Sequence, residues 1–172
     1  MPSDNNQEMF PVVDEQGNIT GAATRGECHS GSRLLHPVVH LHIFNTKGEL
    51  YLQKRPEWKD IQPGKWDTAV GGHLASGEDY ETGARRELAE ELGWKAPVTL
   101  RYLFDAQIRN EIESEDTRVF GVTLAGPFEF QREEIDEVRF WSADELKDPA
   151  CHSFFTPNLV TELQRLFDGG FL

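Results

Sequence analysis

The stretch from residue 71 to 94, GGHLASGEDYETGARRELAEELGW, constrains this chain more than any other, because residue type and spacing there imply both a helix and a chemistry. The helix-forming run extends from about Tyr80 to Leu92. Each helical residue advances about 100° around the axis, so Glu90 and Glu91 project about 60° to one side and about 40° to the other side of Glu87. Three carboxylates therefore share one narrow face. Ala84, Leu88 and Leu92, spaced four apart, form an apolar stripe that can pack against a core. Ser76, Glu78 and Asp79 supply capping or first-turn acid, Gly93 suits a left-handed stop, and Pro97 follows. Acid near the C-terminal end of a helix opposes the macrodipole, and like charges three and four apart cost a few tenths of a kcal/mol per pair. A hard divalent cation offsets that cost, since Mg²⁺ prefers carboxylate oxygens and completes its octahedron with waters and phosphate oxygens.

The bland reading of such a run is a solvated acidic face. It weakens once the fixed spacing G-x5-E-x7-R-E-L-x-E-E-x-G-W is considered as a whole, because even seven of its nine fixed residues would match by chance only on the order of 10⁻⁶ of the time. These 23 residues, Gly72 to Trp94, resemble the signature of the Nudix hydrolase family at every fixed position, with wider similarity from about Pro37 to Leu146. The resemblance implies an α/β/α sandwich with a mixed β-sheet, and Mg²⁺- or Mn²⁺-dependent attack of water on a diphosphate linkage. It also implies roles by position. Glu87, Glu90 and Glu91 match the metal-binding glutamates, and Gly71 matches a backbone carbonyl ligand. Arg86 and Glu78 match an ion pair orienting the helix against its loop.

At 172 residues and 38% hydrophobic composition the chain can bury a sizeable core, most simply as one domain of 1–172 with an N-terminal extension over 1–36. A net charge of −13 argues against bulk nucleic-acid binding, which depends on Lys and Arg neutralising phosphates. It also repels an anionic substrate unless a metal or a local basic patch intervenes. No apolar run approaches the ~20 residues a membrane span needs, and MPSDNNQEMF lacks the pattern of a signal peptide. Two cysteines, Cys28 and Cys151, are too few for a disulfide framework and suit a reducing cytoplasm.

In chain order, residues 1 to about 9 are polar and expected to be poorly ordered, and 10–13 and 19–23 flank DEQGN as a short scaffolding hairpin that could serve a homodimer. PVVHLHIFN reads as a strand in which Val39, Leu41 and Ile43 alternate with Val38, His40, His42 and Phe44, so His40 and His42 share a side as hydrogen-bonded packing residues. ELYLQKR pairs with it. Lys54, Arg55, Lys59 and Lys65 concentrate positive charge just before the signature, a patch able to hold phosphates, with ordinary surface lysines and arginines as the plain alternative. Trp58 and Trp66 are read as packing residues. After the signature, 97–108 and 117–126 read as strands. Among Glu133, Glu134 and Glu137, Glu134 is favoured as the loop carboxylate that the family uses for metal or for deprotonating water. SADELK reads as a short helix. Thr156 and Pro157 open a closing helix buried through Leu159, Val160, Leu163, Leu166 and Phe167.

Three readings of function follow. The leading one is hydrolysis of a diphosphate bond in a nucleoside diphosphate linked to a further group, or in a similar small molecule. Side-chain nucleophile motifs such as G-x-S-x-G and the P-loop are absent. The second rests on similarity of HSGSRLLH, LHIFN, PGKWD and GGHL to the Nudix-fold isopentenyl-diphosphate isomerases. That similarity implies a second metal site at His29, His36 and His73 with Asp116, and diphosphate contacts at Arg55 and Lys59. Gly71 stands at that family's catalytic cysteine and Arg118 at its catalytic glutamate, which disfavours the isomerase chemistry. The third is a diphosphate sensor without turnover, which would be expected to have lost the metal glutamates that are all present here.

Overall fold

The structure, a computed structural model, describes residues 5–172. Two strands, β1 (Met9–Val13) and β2 (Ile19–Thr24), pair antiparallel across a turn in which Gly17 takes φ 83° and Asp14 Oδ1 accepts the amides of Gln16 and Asn18. Within the polar stretch 1–9, residues 1–4 lie outside the described residues. The rest departs from the expected disorder, since the carbonyls of Asn6 and Glu8 accept the amides of Gly26 and Arg25 at 2.9 and 2.7 Å. Those amides open a short helix, α1 (Arg25–Cys28), capped by Thr24 and Glu27.

The main sheet is mixed and has seven strands. Its spine is β3 (His36–Phe44), whose expected alternation holds: Val39, Leu41 and Ile43 join one core, while Phe44 joins the other. One edge of β3 pairs in parallel with the long β8 (Ser114–Thr123), which pairs antiparallel with β7 (Arg101–Arg109). The other edge is divided. Only Ile43 and Phe44 pair with β4 (Leu50–Lys54), whereas Val38–Leu41 pair with β6 (Val70–His73). Beyond its first two residues β4 instead pairs with β5 (Trp66–Thr68), and along its far edge with β9 (Glu137–Trp141). β3 and β4 therefore diverge, and the segment from Trp66 to His73 fills the fork. Sequence reading assigned no strand to that segment.

Helices cover both faces, giving the three-layer sandwich. α2 (Tyr80–Leu92) buries Ala84, Leu88 and Leu92 against Val39, Leu41 and Ile43. Burial of each leucine stabilises by about 2 kcal/mol. α3 (Ala143–Lys147) leads through a 3₁₀ turn over Pro149–Phe154 into α4 (Pro157–Asp168). Thr156 caps α4, its hydroxyl accepting from the amide of Leu159 at 3.1 Å, and Pro157 supplies a preset φ at the first position. Leu159, Leu163 and Leu166 pack on Phe44, Leu50 and Leu52, while Trp66 and Trp141 meet edge-on at 5.2 Å. Among the described residues no helix is long and apolar enough to cross a membrane.

Candidate active site

α2 is stopped at both ends by local chemistry. Asp79 accepts the amide of Thr82 at 2.7 Å, and Gly93 takes the left-handed φ of 67° that closes the helix. Arg86 fastens it to the preceding loop. Its Nε and Nη2 bind Glu78 in a fork at 2.7 and 2.9 Å, Nη2 also donates to the carbonyl of His73 at 3.1 Å, and Nη1 reaches Glu87 at 2.8 Å and Glu90 at 3.1 Å. A planar guanidinium suits this task because its donors diverge in fixed directions. Glu78 is held below the usual carboxylate range by that fork.

The three helix glutamates share a face but not a common point. Glu87 and Glu91 line a cleft of about 270 Å³ bounded also by Gly71, Gly72 and His73, whereas Glu90 is exposed, turned to Arg86, and outside the cleft wall. Glu91 accepts the amide of Gly71 at 3.3 Å. Burial raises the pKa of Glu87 to about 7 against the pull of Arg86. Burial, then the charge of Glu87, pushes Glu91 well above its ordinary value. The glycines beside them are required by space. A Cβ on Gly72 would stand 2.2 Å from Cδ of Glu87.

Across the cleft, the basic patch divides. Lys59 Nζ lies 3.3 Å from Oε2 of Glu134, and both line the cleft mouth. Trp58 ties the same loop down by donating to the carbonyl of Glu133 at 3.1 Å. Arg55 lines the cleft with its Nε on the carbonyl of Ile61 at 3.0 Å and Nη1 on Asp67 at 3.3 Å. Lys65 does not reach the cleft, since its ammonium is engaged by the carbonyl of Ser153.

The histidines assemble at the cleft's other end, with a different carboxylate from the one expected. Ligand atoms of His29, His36, His73 and Glu115 all lie within 4.8 Å of one another, the one such group among the described residues. Asp116 points the other way, its Oδ2 accepting from the Tyr80 hydroxyl at 3.3 Å. Successive strand residues face opposite sides of a sheet, so the shift from Asp116 to Glu115 exchanges the faces of β8. Arg118 shares the face of Asp116, where it pairs with Asp105 at 3.0 Å and covers the Tyr80 ring, so it too stands away from the cleft. Phe10 of the hairpin stacks on His73 at 4.1 Å and on His36 at 5.6 Å, so the N-terminal strands wall this cluster and are more than scaffold.

Buried polar atoms in that cluster lack partners. Both nitrogens of His29 and Nε2 of His36 and of His73 make no hydrogen bond, the last two standing 3.7 and 3.5 Å from Glu115. Burial lowers His29 to about 4 and also lowers His73, which keeps both imidazoles neutral and ready to ligate. Burial pushes Glu115 up, yet His36 and His73 outweigh it and hold the carboxyl below its usual range. Neutral imidazoles with orphaned nitrogens beside an anionic carboxylate are the donor set of a divalent metal. The helix side fits a harder ion, with half-buried carboxylates of Glu87 and Glu91 set against glycine backbone.

His40 and His42 bind no cluster. Nδ1 of His40 and Nε2 of His42 bond the two oxygens of Glu162 on α4 at 2.7 and 3.0 Å. Burial disfavours charge on His40, but Glu162 outweighs it and raises the pKa to about 9. Sequence reasoning missed Glu113, Glu115 and Glu162 as site residues. Alternation along β8 puts Glu115 and Asp116 on opposite faces, but which of them enters the cleft is set by strand register, and Glu113 lies in the turn before that strand.

A family model described as NUDIX domain matches residues 34–162. An uncharacterized Nudix hydrolase of Yersinia pestis is 36% identical over 160 residues, 91% of this chain and 84% of its own. An isopentenyl-diphosphate Delta-isomerase of Clavibacter michiganensis is 26% identical over 167 residues, covering 93% of this chain and 86% of its own. A crystal structure from Deinococcus radiodurans superposes with a TM-score of 0.78 at 23% identity, covering 92% of this chain and 98% of that one.

Proposed function

This chain belongs to the Nudix hydrolase family, and from that premise we propose that it cleaves the diphosphate bond of a small organic diphosphate, a nucleoside diphosphate linked to a further group or a similar molecule, with the aid of Mg²⁺ or Mn²⁺. One observation carries the reading: Glu87 and Glu91 face a common cleft across from Lys59 and Arg55, so acid for a cation and base for phosphate stand on opposite walls. Glu87, Glu91 and the carbonyl of Gly71 would hold the ion, with Glu90 joining on release from Arg86. A divalent ion so held neutralises phosphate charge and lowers the pKa of a bound water. Arg55 and Lys59 orient the phosphate not under attack. Arg86 keeps α2 in register with its loop. Glu134 at the cleft mouth, or Glu91 within, accepts the water proton.

The test is Mg²⁺-dependent release of phosphate or nucleotide by the wild type and by Glu91→Gln, with Glu134→Gln alongside. A loss of about 10² or more in kcat/KM is expected for Glu91→Gln. Equal rates in wild type and Glu91→Gln would remove the metal-helix mechanism.

The isomerase reading has one observation in its favour, the assembled histidines with Glu115. Against it, Gly71 offers no thiol where that family's cysteine acts, and neither Cys28 nor Cys151 lines the cleft. Double-bond isomerisation of isopentenyl diphosphate is therefore expected to be undetectable. The histidine cluster is read as a second cation site beside the hydrolytic one.

A further inference from the structure

Two loops meet over the cleft mouth, and one side chain joins them. The first runs from Arg55 to Lys65 and is closed by the amide of Arg55 on the carbonyl of Lys65 at 2.8 Å. Arg55 Nε on the carbonyl of Ile61, and the amide of Lys59 on that of Pro56, brace its interior. The second loop, 131–135, turns on the carbonyl of Gln131, which accepts the amides of Glu134 and Ile135 at 2.9 Å each. Ile135 is buried in the core under α2, while residues 131–134 are exposed. Trp58 crosses from the first loop to the second, its indole Nε1 donating to the carbonyl of Glu133 at 3.1 Å across 75 residues of sequence.

Unlike Trp66, which packs on Trp141, Trp58 belongs to none of the hydrophobic clusters among the described residues. Its ring serves polar contacts instead. The Lys59 ammonium lies 4.6 Å from the ring centroid, and the same ammonium stands 3.3 Å from Oε2 of Glu134. The contacts close a circuit: indole to the Glu133 carbonyl, one peptide on to Glu134, its carboxylate to Lys59, and Lys59 back over the indole. The ion pair alone does not hold Glu134, because that side chain is 47% exposed and such a pair is weak in water. The backbone beneath it is fixed by buried Ile135 on one side and by the bond from Trp58 on the other. Indole suits the task, being rigid, a donor only, and long enough to bridge two loops.

We propose that Trp58 is a positioning residue for the reaction, pinning the Glu133 carbonyl so that the Glu134 carboxylate is held over the cleft mouth to accept the proton of the attacking water. The proposal rests on the reading above that the cleft hydrolyses a diphosphate, and it narrows the choice of proton acceptor to Glu134. In that step one proton passes from water to the carboxylate, the water oxygen bonds to phosphorus, and the bridging oxygen leaves with the electron pair of the P–O bond. Trp58 acts only through Glu134.

Trp58→Phe, which keeps a ring and removes the donor, tests this. Rates in Mg²⁺ are followed on ADP-ribose, ATP and diadenosine tetraphosphate, using the compound that the wild type turns over fastest. For Trp58→Phe, kcat should fall about tenfold while KM moves by less than about twofold and Tm by less than about two degrees. Added to Glu134→Gln, the same substitution should change kcat by less than about twofold, whereas added to Arg86→Lys it should cost its full factor of about ten. A merely structural role would lower kcat by the same factor in both backgrounds. Wild-type kcat for Trp58→Phe, an effect on KM alone, or multiplication of the Trp58 and Glu134 effects overturns the proposal. A wild-type rate for Glu134→Gln also overturns it, since Trp58 then has nothing to position, while the diphosphate reading stands. If the wild type turns over none of the three compounds, the hydrolytic reading goes and this proposal goes with it.

Discussion

Replacing Gly72 by alanine changes no charge, yet it should disable the site. Gly72 lies in β6 with an ordinary strand conformation, so alanine is tolerated by the backbone. Its Cβ would stand 2.2, 2.3 and 2.6 Å from Cδ, Oε1 and Cγ of Glu87, well inside van der Waals contact, so the carboxylate must swing away. That movement breaks the 2.8 Å contact with Arg86 and withdraws Glu87 from the cleft. The cost to the fold is small, because the displaced atoms end a flexible side chain and burial disfavours the Glu87 charge to begin with. A change of about 1 kcal/mol or less is expected, a few degrees in Tm. Removing one of the acids proposed to hold the ion should cost about 3 kcal/mol in the transition state, or on the order of 10² in kcat/KM. Gly21→Ala, with no atom within 4 Å of the new methyl, is the control. Thermal melts together with Mg²⁺-titrated phosphate release decide the matter. Wild-type kcat/KM at every Mg²⁺ concentration for Gly72→Ala would refute the placement of Glu87 in the reaction.

Arg86→Lys replaces a fork that binds Glu78 through two nitrogens with a single ammonium, and should lower Tm by a few degrees, about 1 kcal/mol, and kcat about tenfold; melts and rates equal to wild type would show that helix registration does not depend on it. Glu162→Gln should flatten stability against pH. His40 is raised from 6.5 to about 9, so its contribution is complete below pH 6.5 and fades as pH climbs through 9; Glu162 is depressed from 4.5, so its contribution is complete above pH 4.5 and is lost only in strong acid. The wild-type unfolding free energy from urea titrations should therefore fall between pH 6.5 and 9 by up to a few kcal/mol relative to the variant, and parallel curves would contradict the pairing. Elemental analysis of protein purified without added metal should find a transition metal that falls in His36→Ala, and unchanged content would leave the cluster structural.

The helix of the site was legible because its determinants are local. Asp79, Gly93 and the spacing of Ala84, Leu88 and Leu92 act within a few residues of one another, and the observed α2 has the anticipated limits. The alternation in β3 was equally local, and it placed His40 and His42 on one side. Their partner was not readable, since Glu162 lies about 120 residues further on, among residues otherwise patterned as an ordinary amphipathic helix. β5 and β6 were missed for a related reason. Glycine disfavours strands, and the segment Val70–His73 is extended only because β3 offers it an edge and Glu87 leaves no room for side chains.

The exchange of Asp116 for Glu115 is the sharpest case of information the chain does not carry locally. Along β8 acids stand at 115 and 116, and both fit a metal carboxylate by type. Only the register between strands decides which is buried. The parallel pairing of β8 with β3 sets Glu115 opposite His36, and the antiparallel pairing of β3 with β6 brings in His73 beside Val38, so one spine strand fixes the geometry of three members of the cluster drawn from three strands. The same spine sends β4 away after two residue pairs and so makes room for the glycine segment that the helix glutamates approach. A shift of one residue in the β3 to β8 register would carry Asp116 and Arg118 into the cleft and Glu115 out of it, placing a guanidinium beside the histidines and leaving their orphaned nitrogens no anionic partner. The cluster is thus a property of strand pairing, and the acidic helix face a property of helical period, which is why the sequence announced one and misassigned the other by a single residue.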